Sequence, residues 1–158
     1  MDSRSERAHA VLVACAIGDA AGLPTRGMAP DEIESTYGPP PTWWDRDVVH
    51  PTKPGVPEGT ITEVTREILA AASVLLDDEA GAAIRDRAGT VPMGWRQLVR
   101  AIPVGIATST ADPEAFAQAV WEACGGECLT RQEFQAAALL AAGVSLQVDG
   151  TQERLSTR

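Results

Sequence analysis

A chain of 158 residues is long enough to bury a real core, and its formal net charge of −9 repels both phosphate backbones and anionic membranes. The acidic residues are spread along the chain, as on a solvated surface, and are not gathered in a tail. Cys124 and Cys128 would need two further ligands to hold zinc, and His9 and His50 are the only histidines, so the thiols read as reduced and the chain as cytoplasmic.

Helical periodicity dominates and alternating strand patterns are nearly absent. The first helix is expected from about Ser5 to Ala21, ended by Gly22 and Pro24. Its centre, Val11 to Ile17, is apolar all round, which predicts a helix buried in a bundle. The longest apolar run, Ala10 to Ile17, is too short to span a bilayer. A short second helix follows over about Pro30 to Thr36, with Asp31 and Glu32 at its positive end and Gly38 to close it. Residues 39–58 carry six prolines, which exclude a regular helix and leave a long irregular loop. Trp43 and Trp44 in that loop either pin it to the core or offer stacking faces to a ligand.

The third helix is the clearest, with Ile61, Val64, Ile68, Ala71, Ala72 and Leu75 at helical spacing. Thr60 and Glu63 have the spacing of a capping box at its start. A weaker helical piece is expected near Ala80 to Arg87, and another over Trp95 to Ala101, ended near Pro103-Val104-Gly105. Asp112-Pro113-Glu114 starts a helix whose core face is Phe116, Ala119, Val120 and Ala123, and Gly125-Gly126 stops it. Thr130 and Glu133 form a second capping box, opening a last helix lined by Phe134, Ala137, Ala138, Ala141 and Val144. Small residues crowd these helices and let their axes approach closely. The expectation is one all-α domain over residues 1–150, a compact orthogonal helical bundle, with a polar tail at 151–158.

Several segments together resemble the ADP-ribosylglycohydrolase family, which includes the dinitrogenase-reductase-activating glycohydrolases. Ala16-Ile17-Gly18-Asp19-Ala20-Ala21-Gly22-Leu23-Pro24 looks like that family's opening Gly-Asp-Ala motif, and Gly27-Met28 to Ile33 with Tyr37-Gly38 like the short helix after it. Gly59 to Leu69 is similar to its Gly-x-x-Thr-Asp-Asp-Thr helix start. Arg100 to Gly105 looks like its Arg-x-x-Pro-x-Gly segment, and Leu129-Thr130 before an alanine-rich helix like its Thr-His helix start. The resemblance implies a helical fold holding two magnesium ions over ADP-ribose, where the metals orient the ribose and a water that attacks its anomeric carbon. The expectation is a shortened, truncated version of that fold.

At the metal positions the chain departs from the family. Thr62 and Thr65 remain, but the first aspartate is Glu63 and the second is Val64, which cannot bind a cation. Arg26 stands where the family usually carries an acidic residue, and Arg131 where it carries histidine. No aspartate-rich second metal motif follows; Asp149-Gly150-Thr151 is a faint echo. A binuclear magnesium site needs roughly five or six protein oxygens, more than Thr62, Glu63 and Thr65 supply. The expectation is therefore no metal and no cofactor, the family's magnesium having been lost.

Three functions remain open. One is a degenerate, metal-free protein that binds an ADP-ribose-like or nucleotide-like ligand, or a protein partner. Its candidate ligand-binding residues are Arg26, Thr62, Thr65, Arg131, Trp43 and Trp44, with the arginines facing phosphates. Another is a hydrolase of N-glycosidic or related bonds with a reorganised site, using Glu63 or Asp19 as base. The third is a structural subunit, a homodimer or half of a pair of chains, covering an apolar face. No basic and aromatic patch points to nucleic acid.

Overall fold

The computed structural model describes residues 3–38, 55–57, 59–76, 93–124 and 130–150. Among them the regular structure is entirely helical: α1 (Ser3–Gly22), a 3-10 turn (Leu23–Thr25), α2 (Pro30–Tyr37), α3 (Glu63–Leu75), α4 (Met93–Ala107), α5 (Pro113–Ala123) and α6 (Arg131–Asp149). The all-α expectation holds. The expected helix near Ala80 to Arg87, the Gly125-Gly126 stop, Trp43, Trp44, Cys128, His50 and the tail lie outside the described residues.

Local chemistry sets most of the helix ends. Asp112 accepts from the Ala115 N–H at 3.1 Å and Pro113 supplies a first turn that needs no donor. At the start of α6 the capping box is reciprocal: the Glu133 N–H donates to Thr130 Oγ1 at 3.2 Å, and the Thr130 N–H to Glu133 Oε2 at 2.8 Å. Gly38 and Gly150 close α2 and α6 with positive φ of 81° and 71°, a region that favours glycine.

Two apolar clusters form the core. Ala101 and Val104 of α4, Phe116 and Val120 of α5, Cys124, and Ala137 and Ala141 of α6 make one. Ile68 of α3 with Val99 and Ile102 of α4 make the other, and Val11, Leu12 and Cys15 of α1, Val64 and Val144 pack against it. Helix α4 is thus shared by both. It corrects the expectation of a short helix ending near Pro103, because α4 continues through that proline to Ala107. A mid-helix proline removes one backbone bond. Here Ala101 and Val104 are fully buried in the first cluster and Ile102 is buried in the second, so packing on both holds the turn.

Gly105 permits a close helix contact. A Cβ there would lie 2.3 Å from the Ala141 carbonyl oxygen and 2.8 Å from Val144 Cβ, so α4 and α6 touch backbone to backbone.

Helix α1 departs from expectation in two ways. Although apolar all round, none of its residues is buried, and Val13 and Ile17 are 40% and 56% exposed. Among the described residues, Val11, Leu12 and Cys15 are its side chains that pack against a core cluster. The helix also outruns the Ala10 to Ile17 run: Ser3–Thr25 is long and apolar enough, by length and composition, to cross a membrane. Polar bonds nevertheless tie both its ends to the other helices. Arg7 Nε donates to the Val148 carbonyl at 2.7 Å, Arg4 Nη2 donates to the Ile106 carbonyl at 2.7 Å, and Arg4 Nε pairs with Asp149 at 3.2 Å. Asp19, near the other end, is bonded to the start of α3.

Candidate functional site

The site is the head of α3, where the end of α1 and the turn after it come alongside. Thr60 does not cap this helix as its spacing with Glu63 suggested; its hydroxyl donates instead to the Pro57 carbonyl at 2.6 Å. The cap is Thr62, in extended backbone conformation, whose Oγ1 accepts from the Val64 N–H at 3.1 Å. Two residues closer to the helix than Thr60, Thr62 leaves the Glu63 side chain free to point elsewhere.

Asp19 completes the cap from another helix. Its Oδ1 accepts from the Thr62 hydroxyl at 2.6 Å. Its Oδ2 accepts from the Thr62 N–H at 2.7 Å, the Thr65 hydroxyl at 2.6 Å and the Thr65 N–H at 3.3 Å. Burial pushes the Asp19 carboxyl up, but the bonds from Thr62 and Thr65 outweigh it and leave the pKa below the ordinary value. A carboxylate at the positive end of a helix is favoured for the same reason.

Glu63 pairs with Arg26, whose Nη2 donates to Glu63 Oε1. The Arg26 bond is the main cause lowering the Glu63 pKa, and the negative charge of Asp19 pushes against it. Glu63 in turn raises the Arg26 pKa, with a smaller contribution from Asp19. Arg26 and Glu63 thus stabilise each other's charge, and both feel the charge of Asp19. The pair is open to water, at 47% and 24% side-chain exposure, so its net contribution to stability is at most about 1 kcal/mol.

Val64 points inward, against the cluster of Ile68, Val99 and Ile102. Arg131 occupies the first turn of α6, exposed to solvent. Val144, the residue of that helix packed beside Val64's cluster, is thirteen residues further on, about 20 Å at 1.5 Å per residue. The structure thus gathers Asp19, Arg26, Thr62, Glu63 and Thr65 through hydrogen bonds, in which Arg131 takes no part.

One turn deeper lies a pair that sequence reasoning missed. Glu67, 3% exposed, accepts from Arg100 Nε at 2.7 Å, joining α3 to α4. The signal available was the four-residue step from Glu63, which places a second carboxylate on the same side of α3. Near it, burial lifts the Cys124 thiol to about 11, against a smaller opposing pull from Arg100. Cys124 is therefore a protonated, inert core residue at neutral pH.

The sequence model of the ADP-ribosylglycohydrolases matches residues 1–97, well over half of the chain and the whole stretch holding Asp19, Arg26 and the head of α3. The chain belongs to the ADP-ribosylglycohydrolase family. No curated protein and no solved structure matches it.

The magnesium ions implied for an ADP-ribosylglycohydrolase can be tested against this donor set. Magnesium requires near-octahedral oxygen ligands from carboxylates and waters. Thr62 and Thr65 direct their hydroxyl protons at Asp19, and both oxygens of Asp19 are taken up by those donors. Glu63 is paired with the Arg26 guanidinium, and Val64 has no side-chain oxygen and faces the core. Among the described residues no group of three or more His, Cys, Asp or Glu is placed to hold a metal ion. The described residues at the head of α3 do not fit magnesium.

Proposed function

We propose that this member of the ADP-ribosylglycohydrolase family binds an ADP-ribose-type or nucleotide-like ligand without magnesium and without hydrolysing it. The observation that carries this reading is the state of the two carboxylates. Asp19 is held by four hydrogen bonds and Glu63 by Arg26, and both have lowered proton affinity. A general base works best with a pKa near the operating pH. Lowering the pKa of a carboxylate moves it away from that optimum. Glu63 or Asp19 as the base of a reorganised hydrolase is disfavoured on the same ground.

Calorimetric titration of the full chain with ADP-ribose, with and without magnesium, tests the reading. Saturable binding of equal affinity in both conditions, with no release of ADP-ribose from an N-glycosidic ADP-ribosyl conjugate, is the expected result. Binding that appears only with magnesium, or turnover that disappears in Glu63→Gln, would overturn it.

A second reading, self-association, is favoured by the apolar residues that α1 and α6 present to solvent. Ile17 is 56% exposed and Leu139 75%. A second copy of the chain would cover them, and this role is compatible with ligand binding.

A further inference from the structure

We propose that the Arg26 guanidinium is this chain's built-in substitute for a divalent cation at the head of α3. The proposal deepens the magnesium-independent reading above and rests on it. Two carboxylates, Asp19 and Glu63, meet at the head of α3, since Asp19 is bonded to Thr62 and Thr65 on either side of Glu63. Such a pair requires a positive partner. The N-terminal end of α3 supplies part of that charge to Asp19 through the Thr62 and Thr65 amides. Arg26 supplies the rest to Glu63 through its Nη2. It reaches the site because the 3-10 turn Leu23–Thr25 directly follows α1, whose Asp19 is already fixed on α3. One helix end therefore delivers both a carboxylate and the cation that balances its neighbour.

This arrangement has a consequence that the absence of an aspartate at Val64 does not. A site that merely lacked a ligand would bind metal weakly. A site with a resident guanidinium repels a dication and occupies the oxygen that it would take. Metal binding at Glu63 is then blocked by Arg26 and is released when the charge is reversed. Arg26 is exposed, and its ion pair contributes little to stability, so its replacement leaves the fold intact.

The test is manganese binding to the full chain, followed by water-proton relaxation and by electron paramagnetic resonance of the free ion. Wild type and Glu63→Gln are expected to show the same weak background. Arg26→Asp is expected to gain saturable binding, about tenfold or more tighter than that background. In the Arg26→Asp background, Glu63→Gln is expected to abolish the gain. Wild-type binding that is lost in Glu63→Gln would overturn the proposal, as would no gain in Arg26→Asp. Neither outcome depends on ADP-ribose, so failure here is separable from failure of the ligand-binding reading. If ADP-ribose binds without magnesium and Arg26→Asp gains no metal, only the substitution by Arg26 is wrong.

Discussion

Cutting Asp19 back to alanine would leave four donors at the head of α3 without their acceptor. Thr62 and Thr65 are themselves buried, at 7% and 4% exposure, so water replaces that acceptor poorly. Hydrogen bonds to a charged group contribute about 1.5–3 kcal/mol each in favourable cases and are not additive. The expected loss for Asp19→Ala is about 2–4 kcal/mol, read from urea unfolding at neutral pH. The same carboxylate makes stability depend on acid. Its folded pKa lies below the unfolded value of about 3.9, so the unfolded state takes up the proton first. Its stabilising contribution is complete above that value and is lost as pH falls through the lower, folded one. Glu63 shifts in the same direction. Melting temperature is therefore expected to fall below about pH 4 in the wild type, with a shallower decline in Asp19→Asn; an equally steep decline in that variant would count against this role. Arg26 as the partner of Glu63 could not be read from the sequence, since thirty-seven positions separate them and no pattern links the two. Thr60 misled because its spacing to Glu63 suits a capping box as well as that of Thr130 to Glu133, whereas Thr62 takes the cap and donates to Asp19 on another helix.

At the level of elements, a tight constraint among the described residues is the meeting of α4 and α6 at Gly105. Gly105→Ala would place a methyl group 2.3 Å from a backbone oxygen that cannot swing aside. Overpacking of this kind costs about 1–3 kcal/mol or somewhat more, and Gly105→Ala is expected in the upper part of that range by chemical denaturation. Gly143→Ala is the matched control, because nothing lies within 4 Å of its added Cβ. An equal cost for the two would show that helix approach is not the cause. The starts of α5 and α6 were legible because Asp112-Pro113 and the Thr130 and Glu133 pair act within a few residues of each other. The course of α4 was not, because the proline that suggested an end is overridden by contacts from α3, α5 and α6. The Glu67 and Arg100 pair stayed hidden for a related reason: one buried glutamate among exposed ones has no signature in composition.

Across the whole molecule, apolar surface is distributed unevenly. Helix α6 buries Ala137, Ala141, Ser145 and Val148 on one side and leaves Leu139 and Leu146 to solvent at 75% and 41% exposure. A helix apolar on both sides normally lies between two partners. Sedimentation velocity over a range of concentrations is expected to show self-association that weakens in Leu139→Glu and in Ile17→Glu. A single monomeric species at every concentration would remove the second reading. The all-α class was legible from periodicity, and the all-round apolar centre of α1 was visible too. What the pattern could not supply was whether a helix apolar all round is enclosed by its own chain, which depends on how many neighbours the fold provides. The clasp between Asp19 and the amides of Thr62 and Thr65 gives the molecule an internal gauge. Those two protons are shielded by a residue of a different helix, so the rate at which they trade with deuterium should follow the lifting of α1 away from α3 and not the fraying of α3 itself.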